Sequence, residues 1–185
     1  MGKVYDVIGD DLAGWMRAQP VYFVATAPLA ADGHVNVSPK GMDGTFAVLD
    51  GRTVAYLDYS GSGAETIAHV RENGRVVVMF AAFDGRPTIV RLHGRGRVVL
   101  PSDAEFPGLR AAFGKERTVG QRSVVVVDVS RISDSCGFSV PLMDFRGHRD
   151  VLDRVQERSG EDYYPQYWRT QNAESIDGLP AVPRS

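Results

Sequence analysis

The dipeptide Asp50-Gly51 lies between two short runs rich in β-branched and aromatic residues, 46–49 and 53–58. A two-residue hairpin loop of the favoured twist needs positive φ, which Asp-Gly tolerates, so this is the strongest hairpin signal in the chain. The pattern recurs. Residues 21–28 (VYFVATAP) read as a strand, Ala31-Asp32-Gly33 as a turn, and residues 34–38 (HVNVS) as a second, alternating strand. Residues 75–83 carry a continuous apolar stretch suited to the middle of a sheet. Asp84-Gly85 then turns the chain into a long strand over 88–100, where Gly94 and Gly96 predict a bulge or a sharp bend. A last strand over 123–132 is built around VVVVDV. Strands joined by tight turns pair antiparallel, because parallel neighbours need a crossover of about a dozen residues or more. A doubly wound parallel sheet is therefore excluded.

The remaining segments have helical spacing. Val7, Ile8, Leu12, Trp15 and Met16 predict an amphipathic helix ending before Pro20. Ile67 and Val70 belong to a helix over 65–73 stopped by Gly74, and residues 104–113 read as a third. Val151, Leu152, Val155 and Arg158 form another apolar stripe, followed by a polar and aromatic stretch over 163–172 and a Pro/Gly tail over 175–185. The expected architecture is mainly β (α+β): one domain over 1–185, with a small closed or nearly closed antiparallel barrel over about 20–133, peripheral helices, and a C-terminal helical segment over about 147–175.

Composition narrows the partners. Lysine and arginine number 21 against 23 acidic residues, a net charge of −2, so no electrostatic footprint for nucleic acid is expected. Cys136 is the sole cysteine, which excludes an intramolecular disulfide and a cysteine-rich zinc site. The four histidines are scattered without ligand-like spacing, so no metal site is expected. No apolar run approaches the roughly 20 residues that span a bilayer, and the charged N-terminal stretch lacks the apolar core of a signal peptide. These features predict a cytoplasmic protein without a membrane partner. His148-Arg149-Asp150 spells a kinase triplet, but the companion signatures are missing.

Three clusters carry candidate chemistry. On a strand, Asn36, Ser38 and Lys40 share one face while Val35 and Val37 share the other. An amide, a hydroxyl and an ammonium in a row suit an anionic, hydrogen-bonding ligand; the same row also suits a solvated strand face ending in a Pro-Lys-Gly turn. The second cluster, 61–66 (GSGAET), joins a strand to a helix. There Ser62 is a candidate N-cap and phosphate ligand, and Glu65 a candidate partner in a capping box. Thr66 replaces the last glycine of a dinucleotide fingerprint, and no strand–helix alternation follows, so a Rossmann-type site fails on topology. The third cluster, Arg91, His93, Arg95 and Arg97, puts a basic stripe on one side of a strand, for salt bridges or for one reach toward a bound anion.

The stretches FVATAPLAADGHVNVSPKG, AYLDYSGSGAETIAHVRENGRVVVMF and GRPTIVRLHGRGRVV together resemble the pyridoxamine 5′-phosphate oxidase-like, FMN-binding split-barrel family. SDSCGFSVPLMDF and RTQNAESIDGLP are similar to one branch of it. The resemblance implies a six-stranded antiparallel split β-barrel that forms a homodimer with FMN in clefts at the subunit interface. By position, Asn36, Val37, Ser38 and Lys40 would lie on the strand beside the flavin. Asp58, Ser62 and Thr66 would belong to the phosphate segment, and Arg91 would approach from a later strand. The oxidases place an arginine-lysine pair after the phosphate-loop serine, whereas Gly63 and Ala64 follow Ser62 here, and His34 or Asn36 replaces an early arginine. Fewer cations make deazaflavin F420 the alternative cofactor. The C-terminal arginine and histidine motif that recognises pyridoxal phosphate is not apparent, so vitamin B6 oxidation is not expected. The expected activity is an FMN-dependent oxidoreductase acting on a small molecule; the alternative is a non-catalytic module that binds or sequesters a flavin, F420 or a haem-related ligand.

Overall fold

A computed structural model describes residues 2–61 and 63–183. Eight strands form one antiparallel sheet: β1 (Val4–Tyr5), β2 (Tyr22–Thr26), β3 (Asn36–Lys40), β4 (Phe46–Val48), β5 (Thr53–Tyr59), β6 (Arg75–Ala81), β7 (Thr88–Val99) and β8 (Gln121–Cys136). Neighbours run β3-β2-β6-β7-β8-β5-β4, and β1 pairs with β8. The resemblance implied six strands, and the structure corrects that number. The seven runs visible in the sequence are all strands, and Val4–Tyr5 adds an eighth by pairing with Ser133 and Ile132. That short strand also delays the first helix, α1, to Asp10–Arg17.

The sheet curls into a half-barrel. β2 and β4 stand far apart in the strand order, yet the rings of Tyr22 and Phe46 lie 5.4 Å apart and those of Phe46 and Phe80 5.0 Å apart. Such contacts require the sheet to fold over its own inner face, where Val24, Val54, Tyr56, Val78, Leu92, Val125 and Val127 pack. The bend expected near Gly94 is present: the β7–β8 register shifts between His93 and Gly94. A Cβ on Gly94 would sit 2.2 Å from the Asp128 carbonyl oxygen, so only glycine permits this close approach.

The valine run of β8 shows no alternation because both of its faces are covered. Val125 and Val127 face the barrel, while Val124 and Val126 pack outside against Ala55, Leu57 and Phe113. Each buried valine stabilises the fold by about 1.5–3 kcal/mol. Helix α2 (Glu65–Asn73) ends at Gly74 with φ of 70°, the left-handed cap the sequence predicts. The third expected helix shrinks to α3 (Phe106–Arg110), since Pro107 and Gly108 hold its helix tendency low. Helices α4 (Val151–Ser159) and α5 (Tyr164–Gln171) follow an irregular stretch over 137–150. The tail beyond α5 is docked: Ala181 and Val182 bury against Ala64, Ile67 and Ala68 of the α2 region. No helix among the described residues is long and apolar enough to cross a membrane.

Candidate functional site

Pairing with β2 aims the even-numbered residues of β3 into the barrel. Asn36, Ser38 and Lys40 stand opposite Thr26, Val24 and Tyr22. The Asn36 amide nitrogen donates to the hydroxyls of Thr26 (3.2 Å) and Thr66 (3.0 Å), and its carbonyl oxygen accepts from the Ser38 hydroxyl (3.2 Å). Behind them, His69 of α2 sets Nδ1 3.0 Å from the Thr26 hydroxyl and leaves Nε2 buried without a partner. At the other end of the row, Lys40 Nζ lies 3.6 Å from Asp58 and over the Tyr56 ring.

Asp58 is buried at 1% exposure on β5, and two cations meet it. Arg122 approaches with Nε at 2.8 Å and Nη2 at 3.2 Å, Lys40 from the opposite side, and Ser123 donates its hydroxyl at 3.2 Å. Burial pushes the Asp58 carboxyl up, but Arg122 first, then Lys40, and the hydrogen bonds outweigh it and hold the group below the usual carboxylate range. Two positive charges against one carboxylate leave this corner with a surplus of one.

The start of α2 differs from expectation. Its N-cap is Ala64, whose methyl side chain makes no hydrogen bond to the first turn. Glu65 accepts from the Ile176 amide at 3.2 Å, so its side chain is engaged by the tail. The first turn of a helix presents backbone N–H groups that suit an anion, here beside Thr66. Ser62 lies outside the described residues.

The site residues named from the sequence thus fall into two groups. Asn36, Ser38, Lys40, Asp58 and Thr66 come together on the inner side. Val37 and Arg91 lie on the outer face, where the registers Val37–Ala25–Val77 and Phe23–Met79–Arg91 place them. Val37 is 61% exposed. Arg91 donates to the Ser135 hydroxyl at 2.9 Å. The rest of the basic stripe is engaged locally: Arg95 donates to the Asn73 carbonyl, and Arg97 pairs with Glu105. Burial, with Arg131 and Arg91 beside it, pulls the His93 imidazole below its ordinary range.

Several structural partners of the site escape sequence reasoning. Arg122 reaches past Asp58 to the Asn172 side-chain oxygen (2.8 Å) and the Gly63 carbonyl (3.1 Å). Asn172 and Tyr167 both donate to the Gly61 carbonyl, and Trp168 Nε1 donates to the Ser60 hydroxyl at 2.6 Å. The C-terminal segment therefore holds the glycine-rich turn in place. His34 bonds Asp177 through its amide (2.8 Å) and through Nδ1 (2.6 Å), which fastens the tail to the β2–β3 turn. Nothing local in the sequence signals these bonds, whose members lie 50 or more residues apart. Among the described residues, no group of three or more His, Cys, Asp or Glu is placed to hold a metal ion.

Residues 8–136 match the family model described as pyridoxamine 5′-phosphate oxidase. A pyridoxamine 5′-phosphate oxidase family protein of Aspergillus flavus, ustO, is 40% identical over 192 residues, covering 96% of this chain and 77% of that protein. Two crystal structures share the fold at lower identity. HupZ of Group A Streptococcus is 20% identical, with a TM-score of 0.51, covering 68% of this chain and 91% of that one. A conserved protein of unknown function from Corynebacterium diphtheriae is 15% identical, also with a TM-score of 0.51, covering 74% of this chain and 98% of that one. Sequence kinship along nearly the whole chain, joined to the curled antiparallel sheet, leads to one conclusion: the chain belongs to the pyridoxamine 5′-phosphate oxidase family.

Proposed function

We propose that this protein binds a phosphorylated flavin, FMN, along the inner row of β3 and uses it in the redox chemistry of a small organic molecule, working as a homodimer. The observation that carries this reading is the convergence of Asn36, Ser38, Thr66 and Lys40 beside the start of α2. Lys40 and the first turn of α2 neutralise a phosphate, and the Thr66 hydroxyl, which accepts from Asn36, keeps its own proton to donate. Asp58 fixes the Lys40 ammonium, and Arg122 keeps Asp58 ionised. With its carboxyl held low, Asp58 serves as an electrostatic support and not as a proton carrier near neutral pH. The flavin, when bound, supplies the hydride chemistry, and the chain supplies orientation and hydrogen bonds.

The two faces of the sheet support a second copy. Arg91 and Val37 cannot reach a ligand on the inner row of their own chain, but the outer face of a partner can approach it. Val35 just before β3, Val37 on it, and Phe138 and Leu142 after β8 are 71%, 61%, 83% and 82% exposed, apolar side chains suited to burial between copies.

The visible spectrum of protein purified without added cofactor, followed by titration with FMN, riboflavin and F420, tests the reading. Lys40→Ala should weaken FMN by about ten-fold or more while barely touching riboflavin, which lacks the phosphate. Equal loss for both removes Lys40 from the phosphate site, and protein that binds F420 but neither flavin replaces the cofactor. Bleaching of bound FMN by NADPH separates an enzyme from a carrier.

A further inference from the structure

A cavity of about 650 Å³ opens where β3 runs out, beginning at Gly41. Its floor is made of Met16, Tyr22, Phe46 and Phe80, and Phe145 and His148 stand at its outer wall. That volume falls within the roughly 300–1,000 Å³ range of small-molecule sites. None of Asn36, Ser38 and Lys40 lines the cavity, although Tyr22, which does, stands opposite Lys40 in the β2–β3 register.

Two features mark this end as built for an occupant. First, Tyr22 lines the cavity, is only 4% exposed, and has a buried hydroxyl with no hydrogen-bond partner. An unmatched buried hydroxyl is a destabilising feature, which a tyrosine-to-phenylalanine change would relieve. Burial pushes its phenol well above the usual range, with the nearby Thr45 hydroxyl opposing, so the group remains a donor at any physiological pH. Second, Met42 has φ of 71°, the sole positive value outside glycine among the described residues, and lines the same cavity. Thr45 holds that turn through bonds to the carbonyls of Gly41 and Met42. The outer wall is fixed as well: the Met143 amide donates to the Phe83 carbonyl at 2.8 Å, and the Phe145 and His148 rings stack edge to face.

We infer that this cavity binds an uncharged, planar aromatic molecule that presents a hydrogen-bond acceptor to the Tyr22 hydroxyl. The rings of Phe46 and Phe80 offer apolar faces and edges to a flat ligand. No charged side chain stands in the floor, so an ionic group buried there would go uncompensated. The charged rim residues Arg17, Asp43 and Asp84 stay at the mouth. The inference does not depend on flavin binding and is tested without it.

The probe is coumarin, a neutral planar lactone, compared with naphthalene, which matches its shape but offers no acceptor. Binding to the full chain is followed by ligand-observed NMR. Tyr22→Phe should weaken coumarin about three- to ten-fold, leave naphthalene unchanged, and keep or raise the melting temperature. Ala112→Trp, at an exposed position lining the cavity, should weaken both probes by narrowing it. If Tyr22→Phe impairs folding, Ala112→Trp alone decides. No saturable coumarin binding, or binding that neither substitution alters, overturns the site. A change in oligomeric state on Ala112→Trp without probe binding also overturns it, by assigning the space to a second copy.

Discussion

The two ends of β3 are finished in opposite ways. At the α2 end the buried polar groups answer one another: Asp58 is met by Arg122, Lys40 and Ser123, and the Gly61 carbonyl by Asn172 and Tyr167. Among the described residues, His69 Nε2, the Tyr56 hydroxyl and Gln156 Oε1 are left over there. At the β4 end, aromatic rings surround open volume and the Tyr22 hydroxyl is unanswered. A connected polar network in a low-dielectric interior stiffens the fold, and taking one member away strands the others. An unmatched donor beside a cavity has the reverse property, since its removal relieves the protein and penalises only a ligand. The same strand thus serves a framework at one end and an opening at the other.

The sharpest way to break this contrast is Arg122→Ala. It leaves the Asp58 carboxylate buried with Lys40 alone, and should cost about 3–5 kcal/mol in urea denaturation. A loss below about 1 kcal/mol would show that the network is not the framework described. The sign of its pH dependence follows from the depressed Asp58 carboxyl. The stabilisation is complete above the ordinary carboxylate range and is lost as pH falls through the lowered folded value. Next in size is Asn172→Ala, which removes bonds to Arg122 and Gly61 and should cost about 1–3 kcal/mol, with faster hydrogen exchange in the turn around Gly61. Tyr22→Phe at the other end should change stability by less than about 1 kcal/mol, in the stabilising direction if at all. A large loss there would erase the distinction between the two ends.

The smallest effect concerns the exposed latch between His34 and Asp177. The Asp177 hydrogen bond and charge raise the His34 imidazole, and His34 in turn lowers the Asp177 carboxyl. The histidine's contribution is present in full below its ordinary value near 6.5 and fades as pH rises through the raised folded value. The aspartate's contribution fades instead as pH falls through its lowered value. An NMR titration of His34 in the wild type and in Asp177→Asn should show the raised pKa returning toward the ordinary one, with little change in melting temperature.

Much of the fold is legible because strand pairing by short turns is a local matter. The helix stop at Gly74 and the bend at Gly94 are each dictated by what a glycine backbone permits within a few residues, while the turn at Asp50-Gly51 joins β4 to β5 without positive φ at either residue. The Asn36–Ser38–Lys40 row is legible for the same reason, since alternation alone puts the three on one face. The two-residue strand Val4–Tyr5 is not legible, because it exists only through pairing with Ser133 and Ile132 at the far end of the chain. Nor could a local reading of the helix start see that Glu65 accepts from the backbone amide of Ile176, 111 residues away.

The sequence by itself determined the antiparallel order, the sheet's glycine bend and one polar face of β3, all consequences of local stereochemistry and of side-chain alternation along a strand. Tertiary structure decided which of those residues can act together. The curl of the sheet turned Asn36, Ser38 and Lys40 toward Asp58 and Thr66, and the same alternation left Val37 and Arg91 facing away. It also brought in Arg122 and Asn172, and it left Tyr22 unpaired beside open volume. Contacts of that kind depend on the register between strands and the closure of the sheet, and no short stretch of chain encodes either.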